Sequence, residues 1–245
     1  MPAKIRIDRL LVERGLAESR EKAQAMILAG EVLANEQKVD KPGRDVAIDV
    51  AIRLVGQPGK FVSRGGLKLE AALDHFQIDV SGKIALDIGA STGGFTDCLL
   101  QRGARKVYAI DVGTNQLHWR IRTDPRVVAQ EQLNARTLTA EAVPEPCEFF
   151  CCDVSFISAT LILPAVTPLI TDSGEGVVLA KPQFEVGKGQ VGKGGIVRDP
   201  QLHQAAVDRV RAALIEAGFA RVESMESPIL GAEGNREFLL HGSHR

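Results

Sequence analysis

The chain has 245 residues, of which 44% are hydrophobic and 25% charged, with a formal net charge of −1. Those values describe an ordinary soluble globular protein and exclude low-complexity, collagen-like and disulfide-dense classes. No apolar run approaches the roughly 20 residues that cross a bilayer, and the start, Met1-Pro2-Ala3-Lys4-Ile5-Arg6, lacks the apolar core of a secretory signal, so a cytoplasmic protein without a membrane partner is expected.

Charge is uneven along the chain. Residues 1–70 hold 13 Lys+Arg against 10 Asp+Glu, while the remainder holds 17 against 21. A basic excess at the N-terminus points to a polyanionic partner there. Ile5, Leu10 and Leu11 recur at helical intervals among Arg6, Arg9, Glu13 and Arg14, and Gly15 closes that helix. Ser19 is the expected N-cap of a second helix, which carries Ala23, Met26 and Ile27 on one face and stops at Gly30. Val32 to Asn35 and Lys38 to Val39 suggest short strands; Pro42-Gly43 breaks the chain, and Ile48 to Val55 alternates like another strand. Gln57-Pro58-Gly59-Lys60 marks a hinge, which divides the chain into a small α+β domain at 1–60 and a larger one at 61–245.

After Ser63-Arg64-Gly65-Gly66, the spacing of Leu67, Leu69, Ala72, Leu73 and Phe76 predicts a helix. Lys68 lies near its start, where a cation gains nothing from the positive helix end, so its placement suggests a functional task. Ile84 to Ile88 is the apolar run of a strand buried on both faces, and Gly89, Gly93 and Gly94 let the backbone turn close to a ligand. A helix is expected from Phe95 to Arg102, with Leu99 and Leu100 inward. Strand, glycine turn and helix N-terminus together form a nucleotide cradle. Lys106 to Asp111 is a second buried strand ending in an acid, and Asp111 follows Asp87 by 24 residues, near the interval of an acid that grips ribose hydroxyls. Because the turn departs from Gly-x-Gly-x-x-Gly, it suits an adenosine cofactor such as S-adenosylmethionine (SAM) better than a dinucleotide.

Further strands are expected at Val127 to Gln130, with Asn134 just beyond; at Glu148 to Cys152, ending at Asp153; and at Glu175 to Ala180, ending at Lys181-Pro182. Pro200 to Gly218 reads as an amphipathic helix with Ala206, Val210, Leu214 and Ile215 on one side, and Phe219 to Met225 and Glu237 to His241 finish the chain as strands. The fold class is therefore α/β: a Rossmann-like, doubly wound, mostly parallel seven-stranded sheet behind a small α+β domain. Cys98, Cys147, Cys151 and Cys152 have no partners at zinc-finger spacing and are expected to be reduced core residues, with no metal bound. Gly187 to Gly194 nearly fits a triphosphate-binding loop, but Gly194 stands where Ser or Thr would hold magnesium. A glycine-lysine loop beside the active site, with Lys188 and Lys193 toward RNA phosphates, is the better reading.

Ile5-Arg6-Ile7-Asp8-Arg9-Leu10-Leu11, Ser19-Arg20-Glu21-Lys22-Ala23 and Ala29-Gly30-Glu31-Val32-Leu33-Ala34-Asn35 resemble the S4 RNA-binding domain. That resemblance directs Arg6, Arg9, Arg20 and Lys22 at RNA phosphates, contacts that supply affinity more than sequence readout. The whole chain resembles the TlyA (hemolysin A) family, an S4 domain followed by an FtsJ-like ribose 2′-O-methyltransferase domain. The carriers are Ser63-Arg64-Gly65-Gly66-x-Lys68-Leu69, Leu86-Asp87-Ile88-Gly89-x-Ser91-Thr92-Gly93-Gly94-Phe95, Asp153-Val154-Ser155-Phe156-Ile157-Ser158, Lys181-Pro182-Gln183-Phe184 and Gly234-Asn235-x-Glu237. The family's Lys-Asp-Lys-Glu tetrad corresponds to Lys68, Asp153, Lys181 and Glu237. The resemblance also implies SAM binding through Asp87, Gly89, Ala90, Ser91, Gly93, Gly94 and Phe95, with Asp111 and Val112 at the ribose, Asn134 near the adenine and Arg64 on RNA. Phe95 stands where many relatives carry Trp, and Ser91-Thr92 where they often carry Ala-Pro.

A ribose 2′-hydroxyl is a poor nucleophile until deprotonated, so the enzyme has to align it and supply a base. Burial and a second ammonium, Lys68, are expected to lower Lys181 from the usual value near 10.4 toward the roughly 7–8 useful to a base. Asp153 and Glu237 would orient the two lysines. Base methylation predicts other residues: an Asn/Asp-Pro-Pro-Tyr/Phe segment or a nucleophilic cysteine, neither of which stands at the functional edge here. The expectation is methylation of ribosomal RNA, at cytidine in 16S and/or 23S, by a monomer or weak dimer that meets ribosomal subunits. A pore-forming hemolysin would need a membrane-seeking segment, and a catalytically silent S4-type RNA-binding protein would not need all four tetrad types.

Overall fold

Apolar residues at helical and alternating spacing build two units, Met1–Gly59 and Lys60–Arg245. The computed structural model describes residues 4–17, 19–35, 37–54, 60–231 and 234–244, without the side chains of Arg53 and Lys188; the expected hinge at 57–59 lies outside them.

In the first unit, β1 (Lys4–Arg6) leads into α1 (Ile7–Glu13) and α2 (Arg20–Leu28), followed by β2 (Val32–Ala34), β3 (Gln37–Lys38), β4 (Asp45–Ala47) and β5 (Ile52–Leu54). Ser19 caps α2 by accepting from the Lys22 amide at 3.2 Å. Ile7, Leu10, Leu11, Ala23, Ile27 and Val32 close the core. Two short strands depart from expectation. Residues 4–6 pair antiparallel with β4 before the helix begins, and the strand expected over 48–55 contracts to β5 because Ile48 and Asp49 turn, with the Val50 amide returning to Ala47 O at 3.0 Å.

The second unit contains α3 (Gly65–His75), β6 (Ile84–Ile88), α4 (Gly94–Gln101), β7 (Lys106–Ile110), α5 (Trp119–Arg122), β8 (Val127–Gln130), β9 (Cys147–Cys152), α6 (Leu163–Val166), β10 (Ile170–Ala180), α7 (Pro182–Glu185), α8 (Pro200–Glu216), β11 (Arg221–Glu226) and β12 (Phe238–Ser243). Seven strands form one sheet in the order β11-β12-β10-β9-β6-β7-β8. The five from β10 to β8 run parallel, while β12 is antiparallel to both β10 and β11.

Alternate residues of each strand feed opposite faces. Ala85, Phe149, Cys151, Val177 and Leu239 pack with Leu69 and Leu73 of α3 and Leu99 of α4. Leu86, Ile88, Ile110, Phe150 and Val178 pack with Leu163 of α6 and Val210 and Leu214 of α8. Each fully buried leucine contributes roughly 2 kcal/mol. Two apolar residues face the other way: Leu67 and Ile215 are exposed on the outer sides of α3 and α8. The antiparallel course of β12 matters for the site. Phe238 pairs with Ala180, so Glu237 arrives at the same sheet edge where β10 delivers Lys181.

Candidate active site

The site forms where β6 and β9 end. Gly89 has φ +80°, and a Cβ there would lie 2.3 Å from the Asp153 carbonyl oxygen. Only glycine lets the turn approach that carbonyl while the Asp153 amide donates to Ile88 O at 2.9 Å. Gly94 answers a second crowding: a Cβ would fall 2.1 Å from Ser63 Oγ and 3.0 Å from the Gly66 amide. The first turns of α3 and α4 therefore abut. A pocket of about 250 Å³ opens beside them, lined by Arg64, Lys68, Ala90, Ser91, Phe95, Asp153 and Leu230 among others.

Two amine–carboxylate pairs stand at this pocket. Lys68 Nζ meets Glu237 Oε2 at 2.5 Å, and Lys181 Nζ meets Asp153 Oδ1 at 2.5 Å. Lys68, Lys181 and Glu237 are buried, and charges taken out of water persist only when paired. Lys68 comes from the first turn of α3, Asp153 follows β9, Lys181 follows β10 and Glu237 precedes β12. All four expected tetrad positions thus come together from four separate elements. Lys181 also donates to Ser155 Oγ at 2.9 Å.

Asp111 works first as a fastener. Its carboxylate accepts from the Ser91 amide at 2.7 Å and the Gly113 amide at 2.7 Å, joining the turns after β6 and β7. A carboxylate has about four acceptor positions, so two remain for hydroxyls. Val112 beside it is 75% exposed. Gly93 packs beneath Leu117 and Ile121.

Of the expected cofactor residues, Gly89, Ala90, Ser91, Gly94 and Phe95 line the pocket, whereas Asp87, Gly93, Asp111, Val112 and Asn134 do not. Asp87 is fully buried; it accepts from Thr96 Oγ1 at 2.6 Å and from Cys151 Sγ at 3.5 Å, and burial pushes its pKa up to about 7. It ties β6 to α4. Asn134 accepts from the Arg136 amide at 3.0 Å and caps a short 3₁₀ turn over Ala135–Thr137.

The expected RNA contacts divide as well. Arg6 and Arg20 both bond the buried carboxylate of Asp8, Arg6 at 2.9–3.0 Å and Arg20 at 2.9 Å, with Gln24 at 3.0 Å. Their side chains stay nearly half exposed. Arg9 and Lys22 are exposed. Arg64 lies on the pocket wall. Lys193 sits in a 3₁₀ turn over Lys193–Gly195, and the side chain of Lys188 lies outside the described residues.

All four cysteines are buried, and burial pushes the thiols of Cys98 and Cys147 up to about 12 and those of Cys151 and Cys152 upward too. Such thiols are poor nucleophiles. Among the described residues no cluster of His, Cys, Asp and Glu could hold a metal, and no helix is long and apolar enough to cross a membrane.

The sequence reading assigned no task to Phe156, Ser155 or Glu185. Phe156 is 91% exposed in a left-handed conformation, φ 66°, with its ring 5.4 Å from that of Phe184. The signal was its place three residues past a strand-end acid. Buried Glu185 accepts from Ser158 Oγ at 2.5 Å and the Ala159 amide at 2.8 Å, fixing α7 to the loop after β9.

Residues 61–244 match the FtsJ-like methyltransferase family, and residues 5–50 match the S4 domain. The 16S/23S rRNA (cytidine-2′-O)-methyltransferase TlyA of Mycobacterium tuberculosis is 46% identical over 98% of this chain and 90% of its own. Hemolysin A of Brachyspira hyodysenteriae is 46% identical over 97% of this chain and 99% of its own. The solved structure of a candidate hemolysin from Streptococcus thermophilus is 46% identical, with a TM-score of 0.75 over 99% of this chain and 89% of its own. The chain belongs to the TlyA/hemolysin A family of rRNA 2′-O-methyltransferases, in which an S4 domain precedes an FtsJ-like methyltransferase domain.

Proposed function

We propose that this protein uses SAM to methylate the 2′-hydroxyl of a cytidine in ribosomal RNA, in the 16S or 23S molecule or both. The observation that carries the reading is the meeting of Lys68–Glu237 and Lys181–Asp153 beside a glycine-walled pocket. The pocket suits SAM in its own chemistry. Gly89 and Gly94 bring bare backbone to its wall, because Asp153 O and Ser63 Oγ occupy the places their side chains would take. Arg64 and two helix N-termini suit the ligand's carboxylate, and Asp111 keeps acceptor positions for ribose hydroxyls.

When bound, SAM supplies a methyl group already activated by its sulfonium. Lys181, in its unprotonated form, takes the proton of the 2′-hydroxyl at Nζ, and the freed oxygen becomes the nucleophile. Lys68 stabilises the developing negative charge on that oxygen. Asp153 and Glu237 hold the two amines in place. Phe156 offers its exposed face to the target base, a stacking contact worth roughly 1–3 kcal/mol. Arg9 and Lys22, with the exposed edges of Arg6 and Arg20, meet phosphates.

The test is transfer of labelled methyl from SAM to isolated ribosomal subunits by the native chain and by Lys181→Ala. The reading requires label in ribosomal RNA from the native chain and a loss of at least 100-fold in the variant. Absence of label from every RNA would overturn it, and full activity in Lys181→Ala would remove that residue as the base.

A further inference from the structure

We infer that Trp119, with the arginines beside it, forms a second RNA contact, on which an unpaired base of ribosomal RNA stacks outside the methyl-transfer pocket. The inference rests on ribosomal RNA being the substrate. Trp119 is the single tryptophan of the chain, and it stands 70% exposed at the start of α5. Tryptophan is on average a well-buried residue, so an indole left in water stands out. Its ring lies 6.0 Å from that of His118, tilted by 32°. His118 is itself held: its amide donates to Thr92 O at 3.0 Å, and its Nδ1 accepts from the Arg120 amide at 3.2 Å. Thr92 belongs to the glycine turn after β6, and Leu117 and Ile121 pack on Gly93 of that turn. The two rings are thus strapped to the cofactor cradle.

Charge sets the chemistry of the partner. Arg120 and Arg122 share the single turn of α5 with Trp119, and Arg122, three positions on, neighbours it on the helix face. Both arginine side chains are more than a third exposed, whereas their partners, Asp97 and Glu131, are largely buried. The negative groups therefore sit back and the guanidinium edges face outward. Arg120 gives one N–H to Asp97 at 2.8 Å, and Arg122 gives one to Glu131 at 2.6 Å. A guanidinium has five donors, so both keep donors for phosphate. An exposed ring bordered by such cations suits single-stranded RNA, in which a base stacks and the flanking phosphates meet arginine. A second copy of the chain fits less well. Protein interfaces close around an apolar core, and among the described residues Trp119 is the only large apolar side chain exposed between Gly113 and Ser155. One indole among arginines offers a base its face but gives a protein partner no core.

The experiment compares Trp119→Ala and Trp119→Phe with the native chain. Transfer of labelled methyl from SAM is followed over a range of ribosomal-subunit concentrations, together with SAM affinity and melting temperature. Stacking predicts that Trp119→Ala raises the KM for subunits about fivefold or more, the lower end of what one stacked base contributes. Its kcat and SAM affinity stay within twofold of native, and it melts as the native chain does. Trp119→Phe, which keeps an aromatic face, stays within twofold of the native KM. Ultraviolet cross-linking of the native chain to subunits should join Trp119 to an RNA nucleotide. The inference is overturned if Trp119→Ala keeps the native KM, if Phe is as weak as Ala, or if the loss lies in SAM affinity or kcat, which would make Trp119 a prop for the cofactor turn. A cross-link from Trp119 to a ribosomal protein or to a second copy of the chain, in place of RNA, overturns it as well. Absence of label with the native chain would overturn the function and this surface together, whereas native labelling beside an unimpaired Trp119→Ala refutes the surface alone.

Discussion

Lys68 and Glu237 stand 169 positions apart in sequence and meet at 2.5 Å, joining the first turn of α3 to the residue before β12. Both are almost wholly removed from solvent, so each charge depends on the other. Glu237→Ala should destabilise the methyltransferase unit by about 3 kcal/mol, because it strands an ammonium in the interior. Lys68→Met combined with Glu237→Leu should recover most of that loss yet remain inactive. Denaturant unfolding and methyl transfer, measured on all three, separate the two roles; a Glu237→Ala chain as stable as native would contradict the pairing.

Asp87 predicts an unusual pH dependence. Burial raises its folded pKa to about 7 from a usual 3.8. A carboxyl shifted upward favours the folded state fully below the lower value and loses that contribution as pH rises through the higher one. The second unit should therefore lose stability from Asp87 between about pH 4 and 7, opposite in sign to a salt-bridged carboxylate. Asp87→Asn should flatten the dependence of melting temperature on pH between 5 and 8. An unchanged slope in that variant would refute the assignment.

Gly89→Ala tests the cradle. Its left-handed φ costs a non-glycine residue roughly 1–2 kcal/mol, and the new methyl would press on the Asp153 carbonyl at 2.3 Å. SAM affinity should fall at least 10-fold and transfer further still, because the turn and the Asp153 loop move apart together. Calorimetric titration with SAM that gives native affinity would contradict this packing.

In the first unit, Asp8 is a structural hub and Lys22 and Arg9 are surface charges. Asp8→Ala should destabilise the unit by about 2 kcal/mol, since it removes bonds to charged groups. Arg9→Glu with Lys22→Glu should leave folding intact and weaken RNA binding, more at low salt than at high. Equal affinity at every salt concentration would exclude these residues from the RNA surface.

Continuous apolar runs made the central parallel strands legible, because β6, β7 and β9 are buried on both faces and each is followed closely by a polar residue at one edge. The tetrad was legible for the same reason: Asp153, Lys181 and Glu237 each adjoin a strand end, and Lys68 is anomalous at a helix start. Arg6 and Arg20 were less legible, since a basic helix surface looks the same whether its charges face solvent or share a buried Asp8. Asp87 shows a similar limit. A strand-end acid beside a glycine turn reads as a ligand contact, yet Thr96, nine residues on, claims its carboxyl. Ser155 and Phe156 gained meaning only from tertiary contacts and backbone conformation, which no local pattern encodes.

Alkaline hydrolysis distinguishes methylation of a ribose oxygen from methylation of a base. Ribosomal RNA labelled by this protein and SAM is digested with alkali, which cleaves beside every free 2′-hydroxyl and spares a methylated one. The label is expected in an alkali-resistant dinucleotide whose 5′ member is cytidine. Label recovered in a mononucleotide would place the methyl on a base and contradict the account.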